Sequence, residues 1–335
     1  LAAVTTLALV GRLTVLTLLL PVIARLLRLD CRNGLIAMVT TFLPWLVLPA
    51  TAAGLAGVVV GDWLLVAMAG SLVATLAVWA RPEWAVAEAP AAHLGPGRLR
   101  LATINVWEQT PDIGPLLDHV DHLDPDLVAL QEIHERHDRR LGASRLAAHR
   151  PYRVPAEAAA ARQTVVLSRL PFRAAERITA SFTPFLSVTL TLDGGPVTVL
   201  AVHPPPPSTS FRAWRADFRL LAELVRTADR PLVVLGDCNA TLQHRLLREV
   251  LACGVRDAHL VRGHGLGWTW RHHRYPGPPL RLDRVMVSPE LEVTAITVGQ
   301  ANGSDHRPVV VEVARRPDAG QNSRSSGDSM PRSSS

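Results

Sequence analysis

Lysine is absent from this chain: all 35 basic residues are arginine. With 29 acidic residues the formal charge is +6. Such a balance suits nucleic acid or anionic lipid as a partner, but much of the excess lies in the tail and beside the hydrophobic N-terminal region, so it decides between neither. Cysteine is scarce. Cys31, Cys238 and Cys253 are an odd number with no metal-ligand spacing, so no disulfide framework is implied and the redox compartment stays undecided. No internal repeat is visible. Charge is missing altogether from Leu35 to Val60 and from Trp63 to Trp79. The abundance of Ala, Arg, Pro and Leu suggests GC-rich coding and carries no mechanism. A length of 335 residues holds one domain of ordinary size plus something else.

The additional part is N-terminal. Residues 1–80 contain three apolar runs, about 1–24, 35–60 and 63–80. A spanning helix needs roughly 20 apolar residues, so the sequence predicts about three transmembrane helices and the lipid bilayer as a partner. The first run carries Arg12, which would cost about 2.5–3.5 kcal/mol at a helix centre. Pro44 and Pro49 would kink the second, which membrane helices tolerate better than soluble ones. The alternative, a signal peptide followed by a buried helical domain, fits poorly, because the apolar core of a signal peptide is only about 7–15 residues long.

Residues 81–98 read as a Pro/Ala/Gly linker, and 315–335, rich in Ser, Arg and Gly, as a disordered tail. Between them, 99–314 alternate strand and helix patterns. Strands are expected at 99–106, 126–132, "TVVLS", "FLSVTLTL", "VTVLAVH", 231–237, "GWTWR", "RLDRVMVS", "VTAITVG" and "PVVVEV". Asp193-Gly194-Gly195 marks a hairpin. Helices are expected at about 111–123, around Phe211–Val225, and around Leu246–Leu251. The pattern suggests an α/β fold of two mixed sheets packed face to face with helices outside.

Polar residues stand where these strands begin or end: Asn105, Glu132, His203, Asp237 with Asn239, Asp283, and Asp305 with His306. One polar residue at a strand end is ordinary turn chemistry. Six such positions carrying carboxylates, amides and imidazoles point to one pocket, provided the ends converge.

The motifs "TINV", "LVALQE", "AVHPP", "VVLGDCN", "RLDRVMV" and "GSDHRPVVVEV" occur in that order over roughly 99–314. This series resembles the successive motifs of the endonuclease/exonuclease/phosphatase superfamily, which includes DNase I, abasic-site endonucleases, neutral sphingomyelinases and inositol-polyphosphate 5-phosphatases. The resemblance implies a four-layered α/β sandwich and a metal-dependent phosphoesterase; a superfamily of this breadth fixes the chemistry rather than the substrate. It implies Glu132 as the main ligand of Mg²⁺, with Mn²⁺ as an alternative, joined by Asn105 and Asp305. A lone carboxylate suits Mg²⁺, which keeps several waters. His306 would be the acid–base imidazole and Asp283 its orienting carboxylate. Whether that pair deprotonates water directly stays open. Asp237 and Asn239 would place the nucleophilic water and hold a phosphate oxygen. His203 would stabilise the transition state or protonate the leaving group. Asn105 and Arg281 would help bind phosphate, a purely structural role for Arg281 being the alternative.

Some relatives carry an acidic residue just after the first Asn; here Val106 and Trp107 follow, which leaves a second metal site open. Pro204 to Pro207 would stiffen the pocket rim. The apolar N-terminus, with "TFLPWL" in its second run, resembles actinobacterial membrane-anchored members of the VanJ (teicoplanin resistance) type. That implies a catalytic domain outside the cytoplasm, acting on lipid-linked cell-wall intermediates. Arg25, Arg28 and Arg32 argue the other way, since the positive-inside rule would put their loop, and after two further spans the catalytic domain, in the cytoplasm. The chain begins at Leu1 rather than Met, and an upstream basic segment would alter that balance. We take the extracytoplasmic placement as the expectation. A linker of about 18 residues reaches about 60 Å at most, which keeps the site near lipid headgroups. A membrane-tethered nuclease is the rival reading. It lacks a basic run beyond 136–150, which a solvated helix explains as well. A non-catalytic hydrolase-like domain is a third reading, opposed by the intact motifs.

Overall fold

Long β-branched runs need apolar cover on both faces, and this chain supplies it with two stacked sheets and an outer helical layer on each. In the computed structural model, which describes residues 2–85, 97–154, 163–263, 265–272 and 277–316, the strands are β1 (Leu99–Asn105), β2 (Leu127–Ile133), β3 (Tyr152–Val154), β4 (Gln163–Ser168), β5 (Phe172–Ile178), β6 (Phe185–Leu192), β7 (Gly195–Val202), β8 (Leu232–Asp237), β9 (Arg256–Asp257), β10 (Asp283–Val287), β11 (Leu291–Val298) and β12 (Val309–Arg315). One sheet runs β11-β12-β1-β2-β4-β3 and the other β5-β6-β7-β8-β10-β9. β1 and β2 are parallel, as are β7 and β8; β12 and β10 return antiparallel beside β1 and β8. Val309, Val311 and Val313 of β12 share one core cluster with Val199, Val233 and Leu235 of the other sheet, whereas Val310 belongs to a cluster with the outer helices. Burial of both faces is why these strands read as continuous apolar runs rather than as alternation.

The outer layers follow from helical spacing. Gly114–His122, Glu135–Gly142 and Arg145–Ala148 cover the first sheet, and Pro207–Thr227 with Arg245–Ala252 cover the second. The four-layered sandwich expected from the sequence is therefore present. The "GWTWR" segment is not a strand: Trp270 makes only isolated bridges, to Leu280 and His306. The expected linker and tail lie largely outside the described residues, at 86–96 and 317–335.

The N-terminal helices are α1 (Ala2–Leu26), α2 (Gly34–Thr41), α3 (Val47–Val60) and α4 (Trp63–Trp84). Val15, Ala50, Leu65 and Leu72 pack α1, α3 and α4 together. Three segments, Ala2–Leu26, Leu43–Val60 and Trp63–Trp84, are long and apolar enough to cross a membrane. Arg12 does not stand alone in α1: its Nε lies 2.8 Å from Asp62 Oδ2. Asp62 also caps α4, its Oδ1 accepting the Leu65 N–H at 3.1 Å.

The run expected as one span over 35–60 is divided. Asn33 caps α2 by accepting the Ile36 N–H at 3.2 Å, and a 3₁₀ turn at Leu43–Leu46, with Pro44 near its start, separates α2 from α3. Pro has no N–H to continue a helix. α2 packs on the helix Pro207–Thr227, with Gly34 so close to Phe211 that an added Cβ would sit 2.9 Å from the Phe211 Cβ.

Residues 243–245 tie the helical module to the sandwich. Gln243 Nε2 donates to the Trp79 carbonyl at 3.2 Å and to Glu83 Oε1 at 3.3 Å. His244 Nε2 lies 2.9 Å from the Ala37 carbonyl, and the Arg245 N–H donates to Asp30 Oδ2 at 2.7 Å. Arg25 donates to the Gln243 carbonyl at 3.3 Å and stacks 3.7 Å over the Trp79 ring. α4 itself runs to Trp84, beyond residue 80, and the Gly265 N–H donates to the Ala85 carbonyl at 3.0 Å.

Candidate active site

Topology brings the polar strand ends to one place. β1, β2, β7 and β8 all finish at the same edge of the stacked sheets. Because β12 is antiparallel to β1 and β10 to β8, those strands begin there. Asn105, Glu132, His203, Asp237, Asn239, Asp283, Asp305 and His306 are thus gathered around one cavity or just behind it. The cavity is about 350 Å³ and its lining includes Glu132, His203, Asp237, Asn239, Asp305 and His306.

The backbone is bent to aim these groups. Glu132 has φ +61° beside a register shift between Leu130 and Ile133, so the last residues of β2 turn out of the ladder. Trp107 and Asn239 also have positive φ, +57° and +46°. Left-handed backbone is costly outside glycine and clusters at functional sites. Gly236, at φ +149°, carries β8 against β7: a Cβ there would lie 1.9 Å from the Val202 carbonyl oxygen.

Hydrogen bonds fix the geometry. Asn105 Nδ2 donates to Glu132 Oε1 at 2.9 Å and to Asp237 Oδ2 at 3.0 Å. The Glu108 N–H donates to Glu132 Oε2 at 2.9 Å. Asp237 accepts the Asn239 N–H at 2.8 Å, and Asn239 Nδ2 donates to the Pro204 carbonyl at 3.0 Å. His306 Nδ1 and Asp283 Oδ2 are 2.7 Å apart, and His306 Nε2 lies 3.7 Å from Asp237 Oδ2. His203 Nε2 lies 3.7 Å from Glu132 and 3.8 Å from Asp237. His203 is 1% exposed, and neither ring nitrogen has a hydrogen-bond partner among the described residues.

The charges are crowded. Burial works against the Glu132 charge, yet His203, the Asn105 amide and the Glu108 N–H outweigh it and hold the carboxyl below its ordinary value. Burial pushes Asp237 up, and Asp283, its register partner across β8 and β10, adds to the push. Burial likewise raises Asp305, with Glu132 and Asp237 contributing. For His306 burial opposes the charge, but Asp283 and Asp237 overcome it and push the imidazole up to about 10.

This donor set fits a hard divalent cation. Glu132 and Asp305 offer oxygens, the kind of ligand Mg²⁺ takes, whereas Asn105 Oδ1 already accepts the Trp107 N–H at 2.9 Å and its amide hydrogens face Glu132 and Asp237. Asp305 Oδ1 is buried with no hydrogen-bond partner among the described residues, and it is destabilised by the Glu132 charge that a cation would neutralise. A second grouping, Asp237, Asp283 and His306, has ligand atoms within 4.8 Å of one another, but His306 Nδ1 is already committed to Asp283.

Arg281 does not join them. It is 2% exposed; Nε donates to the Gly267 carbonyl at 3.2 Å and Nη2 to the Glu83 carbonyl at 3.2 Å, with Gly265 as a further acceptor. The phosphate-binding role is therefore withdrawn. β10 begins only at Asp283, so Arg281 is not on the strand face that carries it. Other residues at the site went unread in the sequence. Ser304 Oγ donates to the Asn105 carbonyl at 2.8 Å and accepts the His306 N–H at 3.0 Å. Thr269 Oγ1 accepts the Leu282 and Asp283 N–H groups, each at 3.0 Å, and Trp270 Nε1 donates to Asp305 Oδ2 at 3.0 Å. Met38, Thr41 and Phe42 of the helical module line the cavity as well.

The family model for the Endonuclease/Exonuclease/phosphatase family matches residues 102–306. The chain belongs to this family, whose members hydrolyse phosphoester bonds by means of divalent metal ions. Its fold is the DNase I-like one. D. rerio TDP2 complexed with single strand DNA product superposes with a TM-score of 0.57 at 18% identity, over 65% of this chain and 99% of that chain. TDP2 from C. elegans gives 0.55 at 18% identity over 64% and 75%. An endonuclease/exonuclease/phosphatase family protein from Leptotrichia buccalis C-1013-b gives 0.52 at 18% identity over 64% and 99%. No curated protein matches the chain.

Two outcomes follow from this geometry. Gly236→Ala must shift β8 and with it Asp237; misplacement on this scale is expected to lower turnover by about 10²-fold. Near-normal kcat in a folded Gly236→Ala protein would show that the β7–β8 approach is not needed. In protein stripped of divalent cations, His306 is expected to stay charged through neutrality and to titrate near 10, not near the ordinary value of about 6.5. Asp283→Asn removes its closest carboxylate and should lower that value. NMR titration of the imidazole checks both, and a wild-type midpoint below pH 7 contradicts the assignment.

Proposed function

We propose that the chain is a membrane-anchored phosphoesterase that uses Mg²⁺, or Mn²⁺ in its place, to hydrolyse a phosphate ester or pyrophosphate of a lipid-linked substrate. The observation that carries this reading is that the cavity holding the carboxylates and imidazoles is walled in part by the module whose helices are long and apolar enough to span a bilayer. The resemblance to VanJ-type proteins, and a polyprenyl carrier of cell-wall synthesis as substrate, belong to the same proposal.

When bound, the cation supplies a Lewis acid that offsets phosphate charge. Glu132 and Asp305, with Asn105 beside them, would hold it. Asp237 and Asn239 face the cavity and position the attacking water and a phosphate oxygen. With the cation in place to offset the carboxylate charge that favours the imidazolium, His306, oriented by Asp283, would be neutral and would take the proton of that water at Nε2. The water oxygen bonds to phosphorus as the ester oxygen leaves, and His203, whose ring nitrogens are otherwise unpartnered, donates to the leaving oxygen. Asn105 keeps Glu132 and Asp237 in register by donating to both.

Full-length protein in lipid should hydrolyse undecaprenyl pyrophosphate faster than a sphingomyelin-type diester or plasmid DNA. EDTA should abolish turnover, and His306→Ala should lower kcat by at least about 10², the usual contribution of a general acid–base group. DNA cut fastest would favour the tethered nuclease instead, and full activity in EDTA would remove the metal from the scheme.

The extracytoplasmic placement rests on the VanJ-type resemblance and runs against Arg25, Arg28 and Arg32. An alkaline phosphatase reporter fused after Ser335 is expected to be active in cells. An inactive reporter, with a fluorescent protein at the same position glowing in the cytoplasm, reverses the placement.

A further inference from the structure

We propose that the substrate's hydrocarbon leaves the phosphate site along a groove shared by α2 and the sandwich, and that Met38 and Phe42 select for the chain. This rests on the lipid-phosphate reading and deepens it by assigning a hydrocarbon subsite.

The cavity has two kinds of wall. Its polar side is the carboxylate and imidazole cluster. Its rim is apolar: Met38 and Phe42 from the helical module stand with Phe182, Pro206 and Leu280 of the sandwich. None of the chain's 35 basic residues is among the described residues lining it. A polynucleotide would need cations along its backbone. A soluble phosphorylated metabolite would need donors for its second half. An aliphatic chain needs neither and gains from leaving water.

The groove also leads somewhere. On α2 the residues Leu35, Met38 and Val39, at i, i+3 and i+4, are 70%, 40% and 40% exposed. They share one face. α2 lies in the chain between the segments Ala2–Leu26 and Leu43–Val60, so this apolar stripe stands where two candidate spans emerge. Met38 belongs to both the stripe and the cavity lining, so a chain lying along the stripe would reach the polar cluster past apolar side chains. An unpartnered apolar stripe that ends in a catalytic pocket is accounted for by a hydrocarbon occupant.

The wall is fixed, as a selective surface requires. His244 Nε2 lies 2.9 Å from the Ala37 carbonyl and 3.4 Å from Thr41 Oγ1. Just past Phe42, Trp45 Nε1 donates to the Pro279 carbonyl at 3.1 Å, and the Trp45 and Trp268 rings are 5.4 Å apart. The segment that supplies Met38 and Phe42 is thereby bonded to the segment that supplies Leu280.

The test is a homologous series of water-soluble prenyl pyrophosphates with the same headgroup and increasing chain length. kcat/KM is measured for full-length wild type, Met38→Ser and Phe42→Ser in nanodiscs, with thermal denaturation as the fold control. Each methylene withdrawn from water is worth roughly fourfold in binding. The wild-type value is therefore expected to climb at least tenfold across the series, through KM. Both variants are expected to lose most of that climb. Met38 is 40% exposed, so its substitution reads the groove even if Phe42→Ser unfolds. A wild-type climb that persists undiminished in Met38→Ser overturns the proposal and leaves the lipid reading standing. A flat wild-type profile overturns both.

Discussion

Two carboxylates, Asp237 and Asp283, face each other across the paired strands β8 and β10. Like charges opposite one another in a sheet repel, and in a buried site they repel strongly. The arrangement persists because other groups answer it. His306 sits against Asp283 and near Asp237, while Asn105 and Asn239 give amide hydrogens to Asp237. Each of those residues is in turn held by something else: Asn105 through its carbonyl and Ser304, His306 through Ser304, Asp283 through Thr269. The site is best understood as a charge imbalance with a scaffold built around it.

The same logic extends outward through the segment after Asn239. This stretch leaves the site and within a few residues bonds to α2, to α4 and to Asp30. Trp214, buried and meeting His244 edge to face, donates to the Asn239 carbonyl at 3.3 Å. The helical module and the site-bearing loop therefore share a backbone support. A change in how the helices sit would be felt at Asn239 through few intermediates.

Much of the site was legible because its residues interrupt apolar runs. Asn105, Glu132, Asp237 and His306 stand out where hydrophobic periodicity stops, and strand pairing brings such ends together. Arg281 misled because the sequence does not show where β10 starts; two residues earlier the chain is still a loop and the guanidinium turns to main-chain carbonyls. Thr269 and Trp270 act through hydrogen bonds to residues distant in sequence, which no local pattern encodes. α2 was hidden for a different reason. "GLIAMVTT" is equally apolar whether lipid or a neighbouring helix covers it, so hydropathy alone joins it to α3.

The Arg12–Asp62 pair has a consequence for depth. Along α1, Arg12 and Arg25 are separated by about 20 Å at the helical rise, and α3 has a similar length. A typical hydrocarbon core is about 30 Å thick. In a bilayer the Arg12–Asp62 pair would mark a polar level on the bundle, while the first turns of α1 continue past it as an apolar segment. Lipids beside that level would thin or tilt to meet it.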